Sequence, residues 1–194
     1  GKAPAIIDPN YPVEKAVGRI MFVKQFNAGQ ICTNVDYVFV HETRREEFVA
    51  AARAYVAKHC PDINHSDYTA IIDDRSVKRL LDTLEDARSK GATVINLNGK
   101  QEANIEQRKV PLHLVLDTTE EMTIRRRETF GPLLMVLTYS DPQEVVDSRH
   151  RRRSAGASGG RRPGPVDDDA GEVVRDRLGG RQRPRGEGSG RHPR

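Results

Sequence analysis

The feature that most constrains this chain is an abrupt change of composition near Ser148. Residues 151–194 hold 12 Arg, 10 Gly and 4 Pro, so these three types fill 26 of 44 positions. That stretch has no aromatic residue, no Ile and no Lys, and its one Leu is Leu178. Such a composition does not bury enough apolar surface to offset the entropy lost on ordering. Residues 148–194 are therefore expected to be an Arg/Gly/Pro-rich disordered tail, and any core must come from residues 1–147. The net charge of +4 averages two unlike pieces. The tail carries +6 and residues 1–150 carry −2.

Within the first part, apolar residues alternate between strand and helix periods. Ala3–Ile7 is a short apolar run closed by Asp8-Pro9-Asn10, a strand and a turn. Val13, Ala16, Val17, Ile20, Met21 and Val23 predict an amphipathic helix over 13–27, with Gly29 as its stop. Val35–Val40 reads as a strand. Thr43 and Glu46 fit a capping box for a helix burying Phe48, Ala52, Tyr55 and Val56. Val77, Leu80, Leu81, Leu84 and Ala87 mark a third helix ending before Gly91. Strands follow near Ala92–Ile95, Leu112–Leu116 and Leu133–Tyr139. The order implies an α/β fold with a mainly parallel sheet and flanking helices.

A last helix opens well at Asp141-Pro142-Gln143-Glu144, with Asp as N-cap and Pro at the first helical position. Val145 and Val146 begin its apolar stripe. The chain then gives Ser148-Arg149-His150-Arg151-Arg152-Arg153, and the stripe is lost within two turns.

Two cysteines give neither a disulfide framework nor zinc-finger spacing, and a reducing, cytoplasmic setting is the default. No run of 18 apolar residues exists to span a membrane as a helix. The six His residues show no metal-ligand spacing, so no metal site is expected. Cys60 precedes Pro61 at a helix end and reads as structural. Cys32 lies between a predicted helix and a predicted strand, among small and polar residues. Two readings stand: an accessible thiol, or a small buried hydrophobe.

A resemblance bears on that choice. Phe26-Asn27-Ala28-Gly29-Gln30-Ile31-Cys32 resembles the active-site cysteine segment of the aldehyde dehydrogenase superfamily. Gly1–Ile7 resembles the strand entered from that family's Glu-Leu-Gly-Gly-Lys motif. Met122-Thr123-Ile124 followed by Glu128-Thr129-Phe130-Gly131-Pro132 resembles its Glu-x-Phe-Gly-Pro cofactor segment. The motifs stand in the family's order and cover about residues 1–147. Asp36-Tyr37-Val38 is similar to the class 3, fatty-aldehyde and coniferyl-aldehyde dehydrogenase branch.

The resemblance implies part of a catalytic domain that takes a small-molecule aldehyde and NAD or NADP. It implies Cys32 as nucleophile, Glu128 on a hydroxyl of the nicotinamide ribose, and Phe130 near the nicotinamide. Otherwise Glu128 is a solvated charge after Arg125-Arg126-Arg127, and Phe130 is core. The family's general-base Glu, oxyanion Asn and most of its coenzyme-binding domain fall upstream of Gly1. The isolated chain is thus expected to be an inactive fragment of an enzyme that forms dimers or tetramers.

Residues 149–194 match nothing in that family. Their lack of Lys, Ile, Phe, Tyr and Asn is the composition of GC-rich codons read out of frame, so a frameshifted tail is expected. The rival reading is a nucleic-acid-binding tail held by phosphate electrostatics. Asp167-Asp168-Asp169 and the absence of stacking aromatics speak against it.

Overall fold

The computed structural model describes residues 1–146. The expected tail and the loss of the last helix after Val146 lie outside the described residues. Strands β1 (Ala3–Ile6), β2 (Val35–His41), β3 (Thr93–Asn96), β4 (His113–Leu116) and β5 (Leu133–Tyr139) form one sheet in the order β1-β2-β5-β4-β3. The pairs β1/β2, β2/β5 and β4/β5 are parallel, and β3 joins β4 antiparallel. The α/β architecture and mainly parallel sheet are as expected.

Helices α1 (Val13–Gln25) and α2 (Arg45–His59) cover one face of the sheet, and α3 (Asp74–Ser89) covers the other. Strand periodicity sorts the side chains. Val38 and Val40 of β2, with Leu134 and Val136 of β5, join Met21 and Phe48 in the first core. Tyr37, Phe39, Leu133 and Met135 join Leu80 and Leu84 in the second. Both faces are therefore apolar, as a parallel sheet between helix layers requires.

Three local expectations need correction. Helix α1 ends at Gln25, and residues Phe26–Gly29 form a tighter 3₁₀ turn in which Asn27 and Ala28 both have φ 50°. Two left-handed residues cannot continue an α-helix. The Thr43/Glu46 capping box does not form. Thr43 Oγ1 pairs instead with His41 Nδ1 at 2.8 Å, and Glu42–Arg44 make a 3₁₀ turn before α2. On the buried faces, Val49 replaces Tyr55 in α2 and Thr83 replaces Leu81 in α3, the expected residues being only partly buried. At the last helix start, the Asp141 carboxylate accepts from Gln143 N as expected. Glu144 accepts from Ser140 Oγ at 2.7 Å, one residue ahead of the cap.

Candidate active site

Cys32 sits on the turn between the 3₁₀ segment Phe26–Gly29 and β2, with its side chain exposed. Its loop is held on three sides. The Asn34 amide donates to the Gly29 carbonyl at 2.6 Å. Gln30 Nε2 donates to the Ala70 carbonyl at 3.1 Å, while Gln30 Oε1 accepts from Ile72 N at 2.9 Å. The side-chain amide thus pairs with the 70–72 backbone as a strand neighbour would. Gly29, at φ 72°, lies against the Gly131 carbonyl with no room for a Cβ. The structure therefore favours the accessible thiol over the buried hydrophobe, and brings the cysteine loop against the Phe-Gly-Pro turn.

That turn follows the short helix α4 (Thr123–Arg126). Glu128 is partly exposed, and its Oε1 accepts from the Gly1 amine at 2.7 Å. Phe130 has φ 41° and is 41% exposed, so it is not core. A phenylalanine held in the left-handed region is costly and needs its surroundings to hold it there. Arg79 of α3 does part of that work, since its Nη1 donates to the Thr129 carbonyl at 2.6 Å. Beside Glu128 lies a cavity of about 450 Å³ whose lining includes Arg75, Lys78, Arg79 and Arg127. Asp82 lines it too and pairs with Lys78, which leaves three guanidinium groups beside Glu128, a setting that suits a ligand presenting both phosphate and hydroxyl groups.

Several residues at the site are not evident from the sequence. Lys2 pairs with Asp36 and also donates to the carbonyls of Ile124 at 2.9 Å and Arg127 at 2.8 Å. The Asp36 Oδ1 accepts from both the amide and the hydroxyl of Thr129 at 2.8 Å. Lys24 is fully buried in α1, and its Nζ donates to the Gly131 carbonyl at 3.3 Å. Burial pushes its ammonium down to about 7, against the pull of the Asp36 carboxylate. The sequence did carry a signal for Lys24. It falls three residues after Met21, on the stripe of Ala16, Val17, Ile20 and Met21, whereas Val23 is only partly buried.

No group of three His, Cys, Asp or Glu side chains among the described residues is placed to hold a metal ion. No helix there is long and apolar enough to cross a membrane.

A three-layer α/β sheet with an exposed cysteine loop locked to a Glu-Thr-Phe-Gly-Pro turn defines a class. The sequence profile described as "Aldehyde dehydrogenase family" matches residues 1–158. The chain belongs to the aldehyde dehydrogenase family. It is 43% identical over 147 residues to a Pseudomonas aeruginosa protein named "Probable coniferyl aldehyde dehydrogenase", covering 75% of this chain and 30% of that protein. It is 38% identical over 150 residues to the "Coniferyl aldehyde dehydrogenase" of a Pseudomonas species, covering 76% of this chain and 31% of that one.

Among solved structures, substrate-bound Staphylococcus aureus AldH superposes with a TM-score of 0.70 at 28% identity, covering 78% of this chain and 32% of that one. The NAD+ complex of a Bacillus cereus aldehyde dehydrogenase superposes with a TM-score of 0.65 at 27% identity, covering 76% and 30%. The chain thus spans about 30% of the length of the curated relatives it matches.

Proposed function

We propose that this chain is the cysteine-bearing part of an NAD(P)-dependent dehydrogenase that oxidises an aldehyde to the acid. Aromatic aldehydes such as coniferyl aldehyde are the favoured substrates and fatty aldehydes the second class. The observation that carries this reading is the backbone contact between the Cys32 loop and the Phe130 turn. It sets the Cys32 loop beside the Phe130 turn, which supports reading the first as the nucleophile's loop and the second as the cofactor platform. The coniferyl aldehyde dehydrogenases at 43% and 38% identity support the substrate class.

The chemistry follows from the residues. The Cys32 Sγ, as thiolate, attacks the aldehyde carbon, and a C–S bond forms as the carbonyl oxygen becomes an oxyanion. The Cys32 backbone N–H is a donor for that oxyanion. When bound, a nicotinamide would accept the hydride that leaves the former aldehyde carbon as the oxyanion re-forms the carbonyl. Cys32 then carries the substrate as a thioester, and water releases the acid and returns the thiol. Glu128 would accept from the hydroxyls of the nicotinamide ribose, and Phe130 would pack beside the ring. The basic side chains lining the adjacent cavity fit the charge of a dinucleotide.

By the resemblance, the general base, the oxyanion Asn and the dinucleotide-binding domain belong to segments outside these residues. Turnover is then a property of the longer enzyme, a cytoplasmic homo-oligomer, and the bare chain is inactive. The test is a chimera in which residues 1–146 replace the aligned segment of the Pseudomonas aeruginosa relative. It should oxidise coniferyl aldehyde with NAD(P)+, and Cys32→Ala should abolish this. A folded but inactive chimera would refute the assignment. Turnover by the bare 194-residue chain would refute its inactivity.

A further inference from the structure

Asp36 is a carboxylate only 2% exposed, at the second residue of β2, and nothing in the proposed chemistry uses it. Its two oxygens divide their work. Oδ2 pairs with Lys2, and Oδ1 accepts from the amide and the hydroxyl of Thr129, both at 2.8 Å. Lys2 donates in turn to the Arg127 carbonyl at 2.8 Å. Arg127 and Thr129 flank Glu128 in the chain. One largely buried ion pair therefore grips the backbone on both sides of Glu128, with Asp36 on β2 and Lys2 just ahead of β1.

An anchor of this kind has physical value at this place. Glu128 is partly exposed, and Phe130, two residues on, is held at φ 41°. A carboxylate meant to meet two ribose hydroxyls has to be oriented before the ligand arrives, or ordering it consumes binding energy. Hydrogen bonds to an ionised, buried acceptor are short and strong, and they fix direction as well as distance. The Asp36 carboxylate meets that need through the peptide that joins Glu128 to Thr129, whose N–H it accepts.

We infer that Asp36 is a positioning residue that sets the Glu128-Thr129-Phe130 turn for a ribose-bearing cofactor. Its link to a cofactor rests on the proposed role of Glu128. The grip on the turn stands on the hydrogen bonds alone.

The experiment uses the full 194-residue chain and two readouts. The first is hydrogen exchange of individual amides. In Asp36→Asn the Thr129 amide should exchange at least tenfold faster, while the Phe39 and Leu137 amides of β2 and β5 keep their wild-type rates. The second is titration with nicotinamide mononucleotide, followed by the amide shifts of Thr129 and Phe130. The dissociation constant should rise at least fivefold in Asp36→Asn. Thr129→Ser, which keeps the hydroxyl donor, should behave as wild type, and Thr129→Val should lie between. The Thr129 pair also covers the case in which Asp36→Asn does not fold.

Unchanged exchange at Thr129, or equal acceleration across all strands, would overturn the inference. So would Thr129→Val and Thr129→Ser behaving alike. If the wild-type chain shows no shift with the mononucleotide while the exchange results hold, the cofactor role of Glu128 fails and the grip of Asp36 on the turn stands.

Discussion

Gly29 and Gly131 meet backbone to backbone. A Cβ on Gly29 would overlap the Gly131 carbonyl oxygen and stand 2.8 Å from its carbonyl carbon and 2.9 Å from Asn34 Nδ2. Gly29 also has φ 72°, where an L side chain is strained. Gly29→Ala combines the left-handed penalty with a clash against main chain, which cannot rotate away as a side chain would. The loss of stability should exceed about 2 kcal/mol. Urea unfolding of the two proteins measures it, and a difference within about 0.5 kcal/mol would show that the loop and the turn are not locked together.

The two cysteines should react in a fixed order. Cys32 is exposed, while Cys60 is 8% exposed and burial pushes its thiol up to about 11. At pH 8 the Cys60 thiolate is on the order of a thousandth of the population. A limiting alkylating reagent should label Cys32 at least tenfold faster. Peptide mass spectrometry reads the ratio, and equal labelling in folded protein would count against the site.

The strands and helices were legible because their side chains obey simple periods. Val38 and Val40 alternate with Tyr37 and Phe39, and Leu80 and Leu84 stand one turn apart. Cys32, Glu128 and Phe130 were legible only through a resemblance. Local pattern left Cys32 open between core and surface, and it left Phe130 open between core and site. For Lys24 and Asp36 it was the contacts that stayed hidden, and for a different reason. Their partners lie 107 and 93 residues away in the chain, and only the folded sheet brings them together. The missing capping box has a local cause. The His41 ring competes for Thr43, and a sequence pattern of four residues does not register it.

Phe48 tests whether α2 is anchored as the packing indicates. It is fully buried in the core shared by α1, α2 and the sheet. Phe48→Ala removes a ring and leaves a cavity that the surrounding layers fill only in part. The cost should be about 3–5 kcal/mol, read as a lower urea midpoint with an unchanged slope. A loss under about 1 kcal/mol would mean that the helix packs loosely on the sheet.

His113 gives the chain an acid sensitivity of predictable sign. It is 5% exposed at the start of β4, between β3 and β5. Its Nδ1 lies 2.8 Å from the Pro111 carbonyl, and an N–H there can donate to it. Burial pulls its pKa from the ordinary 6.5 down to about 4. The Pro111 bond opposes that shift, and the nearby Arg88 charge adds to it. The folded chain therefore keeps His113 neutral where the unfolded chain would protonate it. Stability from this group is complete above about pH 6.5, is lost as pH falls, and is gone below about 4. Between pH 7.5 and 4.5 the loss is on the order of 2–3 kcal/mol. Carboxylates titrate in the same window, so the comparison is with His113→Gln, which has no proton to gain. Wild type should lose more stability than the variant by that amount, measured by urea unfolding at the two pH values. Parallel losses in both proteins would mean that His113 takes up its proton without leaving its place in the fold.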